Sequence, residues 1–151
     1  VHSLEFRIIS AVFGHLGLEL DLTLCSQDEL RLIKQAVDWH KKFRDLLHSG
    51  DVVRFDCESE SQISHGVYSQ DRNEALVSLV QLTEINLDKG SQILRLPGLV
   101  YDRRYRIVAF DSNFATTNAV GEYTGQQLST TGLKVSEMSP ETGTIFHLLS
   151  I

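Results

Sequence analysis

Residues 26–55 read SQDELRLIKQAVDWHKKFRDLLHSGDVVRF, and the spacing of the apolar positions changes inside this stretch. Before Gly50 they fall at Leu30, Ile33, Val37, Phe43 and Leu47, with Ala36 and Leu46 widening the stripe. This is helical spacing with one buried face. Ser26-Gln27-Asp28-Glu29 fits the S-x-x-E capping box, in which each of the two side chains satisfies an otherwise orphaned amide of the first turn. Lys41, Lys42, Arg44 and His48 gather toward the other end, where the helix dipole favours cations, and Gly50 supplies a stop. The pattern predicts one helix over Gln27 to His48, about six turns long at 3.6 residues per turn.

Beyond Gly50 the period becomes two. Strands are predicted at Asp51–Phe55, His65–Tyr68, Ala75–Leu82, Gln92–Leu96, Tyr105–Phe110, Gly132–Val135 and Thr144–Leu149. Turn chemistry separates them at Asp71-Arg72-Asn73, Asp88-Lys89-Gly90, Pro97-Gly98 and Asp111-Ser112-Asn113. Short strands at this spacing with no helix between them indicate an antiparallel β-sandwich. Upstream, Phe6–Leu22 reads FRIISAVFGHLGLELDL; its run Ile8-Ile9 and Ala11-Val12-Phe13, ended by Gly14, predicts a strand buried on both faces. One such strand and one helix cannot enclose a core, but strand plus helix is the repeating unit of a (β/α)₈ barrel. The fold expected is therefore mainly β: residues 1–50 form the terminal strand and helix of a barrel, and residues 51–151 a complete antiparallel β-sandwich domain.

Composition narrows the function. Of 151 residues, 42% are hydrophobic and 23% charged, with 2 Pro and 10 Gly, which are ordinary values for a soluble globular chain and exclude a disordered or collagenous one. Against 20 acidic residues stand 14 Lys and Arg, with a net charge of −6. The short basic spots sit beside acids, so no nucleic-acid partner is expected. No stretch reaches the ~20 apolar residues that span a bilayer, so no membrane partner is expected either. Cys25 and Cys57 lie far apart without metal-ligand spacing, and the six His have no mutual spacing for a metal site. Two free thiols, with no cofactor and no metal, in a reducing, cytoplasmic location are expected. The chain opens on Val1 without a Met or a basic leader, as expected of a piece cut from a longer protein.

Several of these segments carry a family resemblance. GHLGLELDL at 14–22 resembles the end of the catalytic barrel in the glycoside hydrolase family 36 α-galactosidases, where a G-x-x-G-x-E-L-D segment opens into a helix capped S-x-x-E/D. FRDLLHSGDVVR at 43–54 resembles that family's passage into its C-terminal sandwich. His65-Gly66-Val67, Glu74–Val77, the Leu94–Leu99 turn, Tyr105-Arg106-Ile107 and Gly132-Leu133 continue the likeness in order. Val12-Phe13 depart from the family pattern, and Phe114 to Glu122 align with nothing in it. The resemblance implies a parent enzyme, homo-oligomeric, that hydrolyses terminal α-galactosides of the melibiose or raffinose type with retention. Such chemistry needs a nucleophilic carboxylate and an acid/base carboxylate about 5–5.5 Å apart. In the family they lie in K-x-D-x-N and R-x-x-x-S-D segments. Neither pattern occurs in these 151 residues, so no catalytic residue is expected here.

Local candidates remain. His15, between Gly14 and Gly17, sits where a barrel strand delivers its end to the active-site face, so His15 and Gly17 are the residues expected near an oligosaccharide substrate. The alternative is a loop histidine bonded to backbone, with the glycines permitting close packing. Glu19 and Asp21 are a carboxylate pair that could also simply leave a strand beside a basic partner. Tyr68, Tyr101, Tyr105 and Tyr123 could line a sugar-binding face; otherwise Tyr68 and Tyr105 fill the core and Tyr101 and Tyr123 lie on exposed loops. A non-catalytic carbohydrate-binding module or an interaction domain thus stays open beside the enzyme fragment. An exposed aromatic row would favour the former, and an exposed apolar helix face would favour a fragment missing its barrel.

Overall fold

The structure, a computed structural model, describes residues 2–84 and 91–151. The expected turn Asp88-Lys89-Gly90 lies outside the described residues. The long helix is present as α2 (Gln27–Ser49). Ser26 Oγ accepts from the Glu29 amide at 3.2 Å, and the Glu29 carboxylate accepts from the Ser26 amide at 2.8 Å, which closes the capping box. Gly50 ends the helix in an extended conformation rather than a left-handed one, its amide reaching Leu46 O.

Seven strands fall where alternation predicts them: β1 (Asp51–Phe55), β2 (Gln62–Tyr68), β3 (Glu74–Gln81), β4 (Ser91–Leu94), β5 (Arg104–Phe110), β7 (Leu133–Ser136) and β8 (Thr142–Ser150). An eighth, β6 (Thr116–Thr124), occupies the stretch that aligned with nothing. Six strands form one antiparallel sheet in the order β1-β2-β3-β8-β5-β6, and β4 and β7 form a second of two strands. Strands β3 and β8 lie at the centre of the large sheet, and residues of β3 after Glu74 are buried without interruption. Alternate side chains of this sheet serve two separate cores. Val67, Leu76, Phe110 and Ile145 point toward the helices, against Ile33, Ala36, Trp39 and Phe43 of α2. Val77, Leu79, Ile107 and Leu148 point the other way, against Leu94, Leu96, Leu128 and Leu133 around the small sheet. The sandwich is real, and α2 makes a third layer on its outer face.

One expectation fails. The run at Ile8–Phe13 does not form a strand: Leu4–Ala11 is a helix, α1, capped by Ser3, whose Oγ accepts from the Phe6 amide at 3.2 Å. Leu4, Ile8 and Val12 recur every four residues, and Ile8, Ile9 and Val12 bury one side against α2 and the sheet. A short apolar run satisfies strand and helix alike, and here the Ser3 cap decides. Of the expected strand-and-helix unit, the helix is present as α2 and the strand is not. A second short helix, α3 (Gly125–Thr130), follows β6; its Thr124 cap and Gln127 form another capping box.

The packing predicts a graded response to three substitutions. Leu76 is fully buried at the sheet centre, so Leu76→Ala should lower stability by about 2–5 kcal/mol. A Cβ on Gly66 would lie 2.5 Å from Leu76 O, so Gly66→Ala should cost about 1–3 kcal/mol. Gly17→Ala, where a Cβ meets nothing within 4 Å, should leave the urea midpoint unmoved. Equilibrium urea unfolding of the three variants checks the order.

Candidate functional site

Between α1 and α2 the chain runs exposed from Gly14 to Leu24, apart from half-buried Leu16, and closes with a 3-10 turn at Leu22–Leu24. His15 leaves this segment toward the C-terminal half of α2. Its ring lies 4.7 Å from that of His48, and the His48 ring lies 5.8 Å from that of His40. His40 is only 8% exposed, and its Nδ1 donates to Val12 O at 3.0 Å. That bond fixes the tautomer and leaves Nε2 as the free nitrogen. Lys41 and Arg44 join the three imidazoles around an open hollow of about 290 Å³, floored by Leu16 and Val37.

Gly17 is not part of this hollow. It borders a neighbouring one of about 240 Å³, with Leu4, Arg7, Ala11, Leu18 and Leu20. The two residues expected near substrate are thus divided, with Leu16 between them lining both hollows. Neither Gly14 nor Gly17 is crowded, so close backbone packing does not explain them. His15 meets one histidine, His48, by ring contact, and among the described residues its ring has no hydrogen bond to a loop carbonyl. His40 and His48, which spacing alone did not connect to His15, join it only because the loop folds back along α2. Among the described residues no group of three or more His, Cys, Asp or Glu side chains is arranged to hold a metal ion.

The carboxylate pair serves local structure. Asp21 Oδ1 accepts from Thr23 Oγ1 at 2.6 Å and from the Thr23 amide at 3.0 Å, and these bonds hold its carboxyl below the usual range. Its partner is a threonine, not the basic neighbour expected. Glu19 borders the Gly17 hollow, which Asp21 does not line. The tyrosines make no exposed row. Tyr68 and Tyr105 are buried, their hydroxyls donating to Pro97 O at 3.0 Å and Arg72 O at 2.8 Å. Tyr101 is 60% exposed, while Tyr123 belongs to strand β6 and packs partly into the core rather than lying on a loop. Cys25 and Cys57 are free thiols, and burial pushes the Cys57 thiol up, away from reactivity. No helix among the described residues is long and apolar enough to cross a membrane.

With that geometry in hand, comparison with known proteins is informative. Residues 62–148, more than half of the chain, match the family model described as the glycosyl hydrolase family 36 C-terminal domain. The chain belongs to this family. An α-galactosidase of Escherichia coli is 30% identical over 97% of the chain, and α-galactosidase AgaA of Geobacillus stearothermophilus is 31% identical over 93%. The chain spans 23% and 18% of those proteins' lengths, respectively. Among crystal structures, that of a family 36 AgaA variant in complex with raffinose superposes on the whole chain with a TM-score of 0.84 at 28% identity, and covers 20% of that chain. An α-galactosidase of Lactobacillus brevis gives 0.84 at 26% identity, again over the whole chain. The likeness extends through α1, α2 and β6, including the stretch at 114–122 that sequence motifs left unaligned.

One titration is testable on this family 36 chain. His65, on β2 beside the Phe13 ring at 4.8 Å, is held below its ordinary pKa by burial and then by the Arg54 guanidinium at the facing position of β1. The unfolded chain takes up this proton near pH 6.5, and the folded chain only at lower pH. His65 therefore costs nothing above about pH 6.5, and stability falls as the pH drops from there toward the folded value. His65→Gln should lose less stability than the parent chain between about pH 7.5 and pH 5.5, read from urea midpoints; equal losses would contradict the assignment.

Proposed function

We propose that this chain is the C-terminal part of an α-galactosidase that hydrolyses terminal α-galactosides of oligosaccharides with retention. The observation that carries the proposal is end-to-end likeness: every residue from α1 to β8 has its counterpart in crystal structures of family 36 α-galactosidases, one of them holding raffinose. Retention requires two carboxylates about 5–5.5 Å apart; the family's K-x-D-x-N and R-x-x-x-S-D segments are absent from these 151 residues, and Asp21 is engaged with Thr23. The reacting carboxylates then come from the remaining four-fifths of the polypeptide. Residues 1–50 complete its catalytic barrel, and residues 51–151 form the C-terminal domain that braces α2.

A surface feature supports this division. The apolar face of α2, whose exposure would have favoured a fragment missing its barrel, is covered by the sheet; Leu18, Leu20, Leu22 and Leu24 are all exposed, Leu24 to 83%. Four leucines on one short segment make an apolar strip of the kind that marks an interface. The rest of the barrel is the partner that this strip fits. Of the two substrate-vicinity candidates, His15 is the one with neighbouring polar donors, and Gly17 contributes only backbone. The whole enzyme is read as a cytoplasmic homo-oligomer, consistent with two unpaired thiols.

Aryl α-galactoside hydrolysis tests the proposal. The 151-residue chain alone should release no product, and the same chain joined to its upstream polypeptide should. Turnover by the chain alone would place the carboxylates here and overturn the assignment. Within the joined enzyme, His15→Ala should lower kcat/KM about tenfold if His15 meets the sugar, a loss of transition-state stabilisation of about 1.4 kcal/mol; an unchanged value would remove His15 from the substrate.

A further inference from the structure

The hollow formed by His15, His40, Lys41, Arg44 and His48 asks for a ligand that a neutral galactosyl group does not provide. Five basic side chains line it, and no acidic residue does, on a chain whose net charge is −6. Among the described residues none of the five forms an ion pair with a carboxylate, whereas Arg31, Lys34, Arg72, Arg95, Arg104 and Arg106 all do. Of the acids on this part of α2, Asp38 is bonded to Lys34 at 2.5 Å, and Asp45 forms no ion pair with Lys41 or Arg44 among the described residues. Lys41 and Arg44, three positions apart on the exposed side of α2, are the permanent cations of the five, and an anion shared between them would offset their repulsion.

His40 adds the built part. It is more than nine-tenths buried in the middle of α2, and its Nδ1–H is committed to Val12 O. It nevertheless borders the hollow, and Nε2 has no hydrogen-bond partner. A buried imidazole anchored at one nitrogen and open at the other is a fixed binding group, unlike a mobile surface lysine. Around it, Arg44 offers a planar fork of donors suited to two oxygens at once, and Lys41 a point charge. His15 and His48, with rings 4.7 Å apart, close the opposite wall.

We propose that this hollow binds a compact, singly protonated phosphate group, with Arg44 and Lys41 supplying charge to its oxygens, His40 Nε2 accepting from its P–OH, and His15 and His48 forming the wall that closes over it. The ligand is free phosphate or the phosphate group of a monoester; both carry the same oxygens and fit the space. Nothing in this assignment depends on the α-galactosidase reading, since it concerns side chains of this chain alone.

The test follows imidazole and amide resonances of the 151-residue chain by NMR near neutral pH, with inorganic phosphate and glucose 6-phosphate as parallel arms. Glucose is the neutral control, and sodium chloride matches ionic strength. Saturable shifts should appear at His15, His40 and His48 in at least one phosphate arm, with an affinity on the order of millimolar. Tighter binding of glucose 6-phosphate would assign a monoester, and equal or weaker binding free phosphate. Arg44→Gln and His48→Gln should each weaken binding about tenfold. Both side chains are exposed, so circular dichroism should stay unchanged and the urea midpoint should move little. Shifts reproduced by chloride, binding indifferent to both variants, or no shifts at all would overturn the site. Shifts produced by glucose alone would instead make it a sugar site, an outcome that leaves the hydrolysis experiment untouched.

Discussion

The two-sided burial of β3 governs the structure. From Ala75 to Gln81 every residue of this strand is buried, so the large sheet exposes apolar side chains in two directions and is stable only if both faces are covered. The chain supplies the two covers from opposite ends. Helices α1 and α2, which precede the sheet, close one face around Trp39, Phe43, Phe110 and Phe114; β4, β7 and α3, inserted between its strands, close the other. Neither cover can be removed without returning leucine, valine and phenylalanine side chains to water, at about 1.5–3 kcal/mol for each.

How the sequence announces these elements depends on how much periodic signal each carries. Helix α2 was legible because its capping box, its long stripe and its basic end all agree. The strands were legible where alternating or apolar runs of four residues or more stand between turn signals. Helix α1 was misread because Ile8 to Phe13 is too short and too continuously apolar for period to decide, and the deciding residue, Ser3, lies five positions upstream. Strand β6 was missed for a different reason. It is an edge strand, paired on one side only to β5 through two irregular registers, its described side chains are all exposed or half-buried, and TTNAVGEYT shows no apolar alternation. Even α3 left a signal, the T-x-x-Q of Thr124 and Gln127, that could have been found.

The candidate site was less legible than the fold, and the reason is geometric. His15 could be singled out from its glycine-flanked place in the chain, but its companions are 25 and 33 positions away on α2. They meet it only because the segment after α1 folds back along the helix, and no local spacing encodes that return. Phe114 illustrates the same limit. It takes a left-handed backbone at φ 59°, held by Asp111, whose Oδ1 accepts from the Asn113 and Ala115 amides at 2.9 and 3.0 Å. The strain turns its ring into the cluster around Trp39, 5.6 Å away. From sequence it is one phenylalanine after a turn.

Helix α2 shows that the residues on either side of Gly50 share one core. Its inward face ends in the sheet: Phe43 meets the Phe110 ring at 5.9 Å and the His147 ring at 4.8 Å, and His147 in turn donates to Glu74 at 2.8 Å. The core therefore runs across Gly50, and the change of period marks a change of secondary structure rather than a break in packing. The outward face of α2 carries Asp28, Arg31, Lys34, Asp38, Lys41 and Asp45, and is already suited to water. The leucine segment before α2 differs: Leu18, Leu20, Leu22 and Leu24 crowd exposed apolar side chains into seven residues, so the loop and not the helix carries the surface that costs free energy in water.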